Sequence, residues 1–303
     1  MSKIVVIIGY GSAGQRHAKL LKTNKKISKI HILSSKKNIP FNKINNVNEI
    51  KKINPDMIVI ATYSKDHLKY ILYVEKYFKK KIVLIEKPLF NTLSRKKFLP
   101  NKNLYFVGYN LRFHPIISFI KKAIKNKKIW FFKAISYSYL PNWRTNIPYY
   151  KSASAKKEYG GGALLELSHE IDFTRWILGD FKVIFSINKK NSNLKVDTDD
   201  QFEILGKNKN CKLLNISANF FSKNLRREIF IESENISIHA NLIKNKINII
   251  KGKKRKQINF KNYDINKTFK DEHNEILSKK FFKVCKFNEG YKVMQYIQKL
   301  KGK

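Results

Sequence analysis

The 303-residue chain can bury two cores; it is 43% hydrophobic and carries 63 Lys+Arg against 22 Asp+Glu, a formal net charge of +41. No apolar run approaches the ~20 residues that span a bilayer, the first such run is too short for a signal peptide, and Cys211 and Cys285 alone suggest neither a disulfide framework nor a cysteine metal site, so a cytoplasmic protein is expected. The charge invites a nucleic-acid reading, but lysine, isoleucine and asparagine rise together, as in Asn42-Lys43-Ile44-Asn45-Asn46, and the basic residues are dispersed and mostly lysine, so no specific nucleic-acid partner is expected.

Residues 4–8, Ile4-Val5-Val6-Ile7-Ile8, read as a strand that passes directly into Gly9-Tyr10-Gly11-Ser12-Ala13-Gly14 and a helix over 15–22. Strand, GxGxxG turn and helix in this order bind a dinucleotide pyrophosphate. Gly9 permits the tight turn, Gly11 lets backbone N–H groups (Ser12 and Ala13 among them) approach the phosphates, and Gly14 allows close helix–strand packing. A second strand, 29–33, ends in Ser34-Ser35-Lys36-Lys37, without the carboxylate that bonds an NAD ribose. Hydroxyl and ammonium groups suit a 2′-phosphate, so Ser34, Ser35 and Lys36 favour NADP over NAD.

A strand at 57–61 leads through Thr62 into a helix over 66–78, with Thr62 and His67 as cofactor contacts; His67 would serve equally as a helix cap. The strand at 82–85 delivers Glu86-Lys87-Pro88 to the carboxyl edge of the sheet, where open α/β folds bind ligands. Lys87 is placed for general acid–base work, and Glu86 and Lys87 are also candidate cofactor contacts. A short basic helix is expected after Pro88, then a strand at 104–109. Asn110-Leu111-Arg112-Phe113-His114-Pro115 closes a dinucleotide-binding domain over 1–115.

Residues 116–303 form the second expected domain, for substrate binding and oligomerisation, its C-terminal helix able to pack back. A helix over 116–125 and a strand over 130–139 precede Gly160-Gly161-Gly162 and an amphipathic helix over 163–178. Glu166 and His169, three apart, would share a face of that helix, with Asp172 one step further. No HExxH pattern and no nearby cysteine supports a metal. Arg112, Trp143, Arg144, Tyr149 and Asp172 are the candidate substrate contacts, through aromatic faces and charge, although loop packing accounts for the aromatic segment as well. Alternating runs at 181–187, 201–205, 212–218 and 228–232 suggest an antiparallel sheet, residues 251–256 an exposed hairpin turn, and 289–300 a last helix. His17, His31, His114, His239 and His273 receive no chemical role.

Together, Gly9 to Gly14, Glu86-Lys87-Pro88, residues 108–115, residues 160–172 and the closing Asp271-Glu272-His273 resemble the glucose–fructose oxidoreductase / inositol 2-dehydrogenase (Gfo/Idh/MocA) family. The resemblance implies an α/β protein: an N-terminal Rossmann doubly wound parallel sheet and a C-terminal α/β domain on an open, mostly antiparallel sheet, often a subunit interface, hence a homodimer or tetramer. It maps the family lysine onto Lys87 and the catalytic histidine onto His169. The family often places an aspartate four residues before that histidine, whereas Glu166 stands three before it. Residues 139–144 and 166–170 are similar to a branch associated with surface-sugar biosynthesis. The expected activity is NAD(P)-dependent hydride transfer at a secondary alcohol or ketone of a sugar, amino sugar or nucleotide sugar. A cyclitol dehydrogenase and a non-catalytic dinucleotide sensor are the alternatives.

Overall fold

The computed structural model describes residues 2–94, 98–144 and 146–301. In chain order the first elements are β1 (Lys3–Ile8), α1 (Ser12–Lys22), β2 (Ile27–Leu33), β3 (Asn42–Ile44), α2 (Glu49–Ile53), β4 (Met57–Ile60), α3 (His67–Tyr77), β5 (Ile82–Ile85) and β6 (Leu104–Val107). Then come α4 (Pro115–Ala123), β7 (Ile129–Tyr139), α5 (Ala163–Glu166), α6 (His169–Leu178), β8 (Lys182–Lys189), β9 (Gln201–Asn208), β10 (Cys211–Asn219) and β11 (Phe221–Ser233). The chain closes with β12 (Ser237–Asn241), β13 (Lys246–Lys251), β14 (Lys254–Asn259), α7 (Asn266–Leu277), β15 (Cys285–Lys286) and α8 (Phe287–Lys301). These form two compact units, residues 1–110 with 265–294, and residues 111–264 with 295–303. The single cut expected after residue 115 therefore becomes a double one, because α7 and β15 complete the first unit.

The first unit holds a seven-stranded sheet ordered β15-β6-β5-β4-β1-β2-β3, parallel except for the short edge strand β15. All four residues of β4 and of β5 are buried, as are the last four of β1, which is why these strands read as unbroken apolar runs. Strand order reverses at β1, between β2 and β4, and ligands of such sheets bind beyond the carboxyl ends of the strands at this point. The basic helix expected after Pro88 centres on residues 95–97, outside the described residues; its flanks are loop.

The second unit holds an eight-stranded sheet ordered β14-β13-β12-β11-β7-β10-β9-β8, antiparallel except where β10 runs parallel to β7. Its two faces differ. Phe132, Ala134, Ile204, Leu214, Ile216 and Ile229 are buried on one side, and α6 packs on β7 and β10. Strand register puts Phe131, Phe185, Leu205, Leu213 and Phe230 together on the other side, where each is half-buried or exposed. The edge strand β14 presents Lys254, Arg255 and Lys256 to solvent, which blunts it against further pairing. The helix expected over 163–178 is two helices, broken at Leu167 and Ser168.

Candidate active site

In the first unit the turn from β1 to α1 is dictated by contact. Gly9 has φ +99°, and a Cβ there would stand 2.5 Å from the Ala61 carbonyl oxygen, so no side chain fits. A Cβ at Gly14 would meet the Gly9 carbonyl oxygen at 2.1 Å, whereas one at Gly11 would meet nothing within 4 Å. Gly11 therefore faces open space at the N-cap of α1, a helix with no side-chain cap and no acidic residue in its first turn. Uncapped N–H groups of Ser12, Ala13 and Gly14 beside that space suit a pyrophosphate in charge and size. At the end of β2 the Ser34 hydroxyl accepts the Lys36 N–H at 3.2 Å, and Ser35 and Lys36 are exposed.

Lys87 leaves the carboxyl end of β5 half-buried, and its bond to Pro88 is cis. Its peptide N–H donates to Glu86 Oε2 at 3.1 Å, while Glu86 Oε1 lies 2.7 Å from His17 Nε2. Burial works to raise the Glu86 carboxyl. The hydrogen bond and charge of His17 and then the charge and N–H of Lys87 outweigh it, holding the carboxyl below the usual carboxylate range. Beyond Lys87, His67 Nδ1 lies 3.1 Å from the carbonyl oxygens of both Pro88 and Leu89, and His67 Nε2 lies 3.2 Å from that of Thr62. His67 is fully enclosed, and burial lowers its pKa against the opposing pull of those carbonyls. The expectation that His67 contacts the cofactor is corrected: the ring ties the Thr62 loop to the Pro88–Leu89 turn and offers no surface. Thr62 itself is half-buried, its hydroxyl donating to the Tyr63 carbonyl at 3.3 Å.

The second unit places Glu166 at the end of α5 and His169 at the start of α6, both half-buried. The expectation of one shared helix face is corrected by the break between them. The Ser154 hydroxyl donates to Glu166 Oε1 at 2.9 Å. Asp199 Oδ2 accepts the Leu164 N–H at 2.7 Å, and its carbonyl accepts the Ala163 N–H, so this aspartate caps α5. Gly162, at φ +109°, is glycine because a Cβ would stand 2.4 Å from Asp199 Oδ1.

Arg112 and Asp172 are each 1% exposed and form a two-pronged pair, Nε to Oδ2 at 2.9 Å and Nη2 to Oδ1 at 2.6 Å. Both were expected to contact substrate; the structure corrects this, because the two charges are enclosed with each other and the guanidinium lies over Trp176. Glu170, also on α6, pairs likewise with Arg227, at 2.7 and 2.9 Å. Trp143 and Arg144 are half-buried, the Trp143 ring edge-on to Phe220 at 5.1 Å. The Tyr149 hydroxyl accepts the Lys195 N–H at 3.0 Å. The sequence reading gave His17 and His273 no chemical role and passed over Ser154, Asp199 and Arg227; the placement of His17 three residues after Gly14, on α1, is the signal that could have found it. Among the described residues no group of three His, Cys, Asp or Glu side chains is arranged to hold a metal, and no helix is long and apolar enough to cross a membrane.

Two family descriptions match: an oxidoreductase family with an NAD-binding Rossmann fold over residues 3–99, and a GFO/IDH/MocA C-terminal domain over residues 118–239. No curated protein sequence matches. Solved structures do. Levoglucosan dehydrogenase in complex with NADH superposes with a TM-score of 0.80 at 17% identity, covering 100% of this chain and 96% of its own. The UDP-N-acetylglucosamine 3-dehydrogenase of Acidithiobacillus ferrooxidans gives 0.77 at 14% identity, with 100% and 97% covered. The WlbA dehydrogenase of Bordetella pertussis, in complex with NADH and UDP-GlcNAcA, gives 0.77 at 15%, with 100% and 96% covered.

Proposed function

Since the chain belongs to the Gfo/Idh/MocA oxidoreductase family, with an NAD-binding Rossmann domain at its N-terminus, we propose that it is a cytoplasmic dehydrogenase or reductase of a sugar, amino sugar or nucleotide sugar. The observation that carries this reading lies within the first unit. Lys87 leaves the carboxyl end of β5, two strands from β1, at the same sheet edge from which the glycine turn enters α1. Two buried free thiols, Cys211 and Cys285, fit a reducing compartment. Nucleotide sugars are the favoured substrate class, because a net charge of +41 attracts anions and two proteins of similar fold are a UDP-N-acetylglucosamine 3-dehydrogenase and a dehydrogenase solved with UDP-GlcNAcA.

When bound, the nicotinamide supplies or accepts the hydride. The N–H groups at the start of α1 hold the pyrophosphate, and Ser34, Ser35 and Lys36 take a 2′-phosphate, which favours NADP over NAD. Lys87 Nζ passes a proton to or from the oxygen of the reacting carbon, and His169 orients that oxygen. Glu166, steadied by Ser154, sets the environment of the histidine. The chain assembles as a homodimer or tetramer through the sheet of the second unit, whose apolar face of Phe131, Phe185, Leu205, Leu213 and Phe230 supports this.

Screening nucleotide sugars and cyclitols by the absorbance of reduced nicotinamide tests the substrate class. On a substrate so found, Lys87→Ala lowers turnover roughly 10²–10⁴-fold with folding and cofactor affinity nearly intact, the range for a lost general acid–base. His169→Ala also lowers turnover, and the two losses do not multiply in the double variant, because groups sharing one proton transfer act as a unit. Near-normal turnover in Lys87→Ala would remove the reading.

A further inference from the structure

We infer that His17, backed by His273, is a positioning residue that fixes Glu86 and, through it, the Lys87 peptide; this rests on reading Lys87 as the proton-transfer group. Three elements distant in sequence meet here in the first unit. His17 comes from α1, Glu86 follows β5, and His273 comes from α7. His17 Nε2 lies 2.7 Å from Glu86 Oε1, and His17 Nδ1 lies 2.8 Å from His273 Nε2. All three side chains are buried.

Donor and acceptor roles follow from the carboxylate. An ionised Glu86 only accepts, so His17 Nε2 carries a proton toward it. Burial first, and then His17, press the His273 pKa well below its ordinary value, so His273 stays neutral. The row runs from His273 Nε2 through His17 Nδ1 and Nε2 to Glu86 Oε1, and the other oxygen of Glu86 takes the Lys87 N–H. The His17 ring is walled edge-on by Phe269 at 5.6 Å, and the Arg16 guanidinium lies over the same Phe269 ring at 5.2 Å.

A row of polar groups is a costly way to fill a core that a leucine would fill. What it supplies is direction: both oxygens of Glu86 are aimed, one at α1 and one at the peptide that sets where Lys87 leaves β5. His17 sits one turn beyond the glycine turn on the same helix, so the dinucleotide cradle and the lysine are tied by hydrogen bonds rather than by packing alone. A misplacement near 1 Å at a reacting group costs about 10²-fold in rate.

The test uses the full-length protein and reads the brace without any substrate. In the wild type, proton NMR with ¹⁵N-labelled histidine shows a solvent-protected imidazole N–H far downfield, and amide exchange at Lys87 is slow. His17→Leu and Glu86→Gln abolish the downfield signal and speed exchange at Lys87 more than at Val83 and Leu84 within β5. His17→Gln, whose amide restores one donor and one acceptor, recovers slow exchange at Lys87. Lys87→Ala keeps the downfield signal, because the brace uses the backbone of residue 87, so this inference and the catalytic reading fail separately. On a substrate from the screen, His17→Leu lowers kcat roughly 10²-fold with KM and cofactor affinity held. The inference is overturned by absence of the downfield proton, by unchanged Lys87 exchange in His17→Leu, or by equal loss across β5 that His17→Gln does not repair.

Discussion

The two units hold their candidate groups by opposite chemistry. Around Lys87 the braces are imidazoles: His17 and His273 on the Glu86 side, His67 on the Pro88–Leu89 side. Around His169 they are permanent charges, for α6 carries both Asp172, paired with Arg112, and Glu170, paired with Arg227. Imidazoles can be buried neutral at small desolvation cost, but their bonds depend on which nitrogen carries the proton and are sensitive to pH. Arginine–carboxylate pairs keep their charges across the useful pH range, and each needs its partner to stay buried at all. The lysine is thus held by a tunable frame and the histidine by a fixed one.

Breaking a fixed pair gives the largest effect. Asp172→Ala leaves the Arg112 guanidinium buried without its carboxylate, which costs about 3–5 kcal/mol of stability. Denaturant titration followed by tryptophan fluorescence measures it, Trp176 lying beside the pair. The double variant Arg112→Met with Asp172→Leu recovers most of that loss, because two apolar side chains of similar volume need no partner. If the double variant is as unstable as the single, the pair is not the clamp that sets the second unit apart.

The contrast is sharpened by the second unit's own buried imidazole. His114 caps α4, its Nδ1 accepting the Ile116 N–H at 3.3 Å, with Tyr263 edge-on at 5.0 Å. Burial, then the charge of Arg227, lower its pKa to about 4 despite the opposing hydrogen bond it gives to Asn245. The unfolded chain takes up this proton near pH 6.5 and the folded one near 4, so the stability it contributes is complete above about 6.5 and is lost as pH falls toward 4. The span is on the order of 3 kcal/mol. His114→Asn keeps an N-cap acceptor and flattens the stability profile over this window; an unchanged slope would place the titrating group elsewhere.

What the sequence disclosed follows the same division. The first unit was legible because its signals are contiguous: an apolar strand, a glycine turn forced by the Ala61 carbonyl, and a helix fall within residues 3–22. Lys87 was conspicuous for the same reason, standing directly after a fully buried strand. Its braces were not, since His17 and His273 are 256 residues apart and no local periodicity announces such a meeting. Charged residues on and against α6 misled in the other direction. Arg112 and Asp172 look like binding groups until the fold shows that each is the other's partner. The lysine excess hid β14, whose outward residues swamp the alternation of a strand, and the start of α5 is capped by Asp199, which lies beyond the segment itself.

The smallest effect belongs to the one candidate group held by neither frame. Ser34, Ser35 and Lys36 follow β2 at the surface, where the Ser34 hydroxyl accepts the Lys36 N–H. No acidic residue stands between Leu33 and Glu49, the stretch where an NAD site usually carries one for the ribose diol. A 2′-phosphate would instead meet a serine hydroxyl and a lysine, both solvated, and a solvated ion pair contributes little. Isothermal titration should therefore show NADPH binding at least as well as NADH, with Lys36→Ala weakening NADPH by roughly three- to tenfold and leaving NADH unchanged. That margin should shrink as salt is raised, because exposed charges are screened, whereas effects at the buried frames should not. A clear preference of the wild type for NADH would mean that Ser34 and Lys36 do not face the ribose. The lysines at the end of β2 would then belong to the general basic surface.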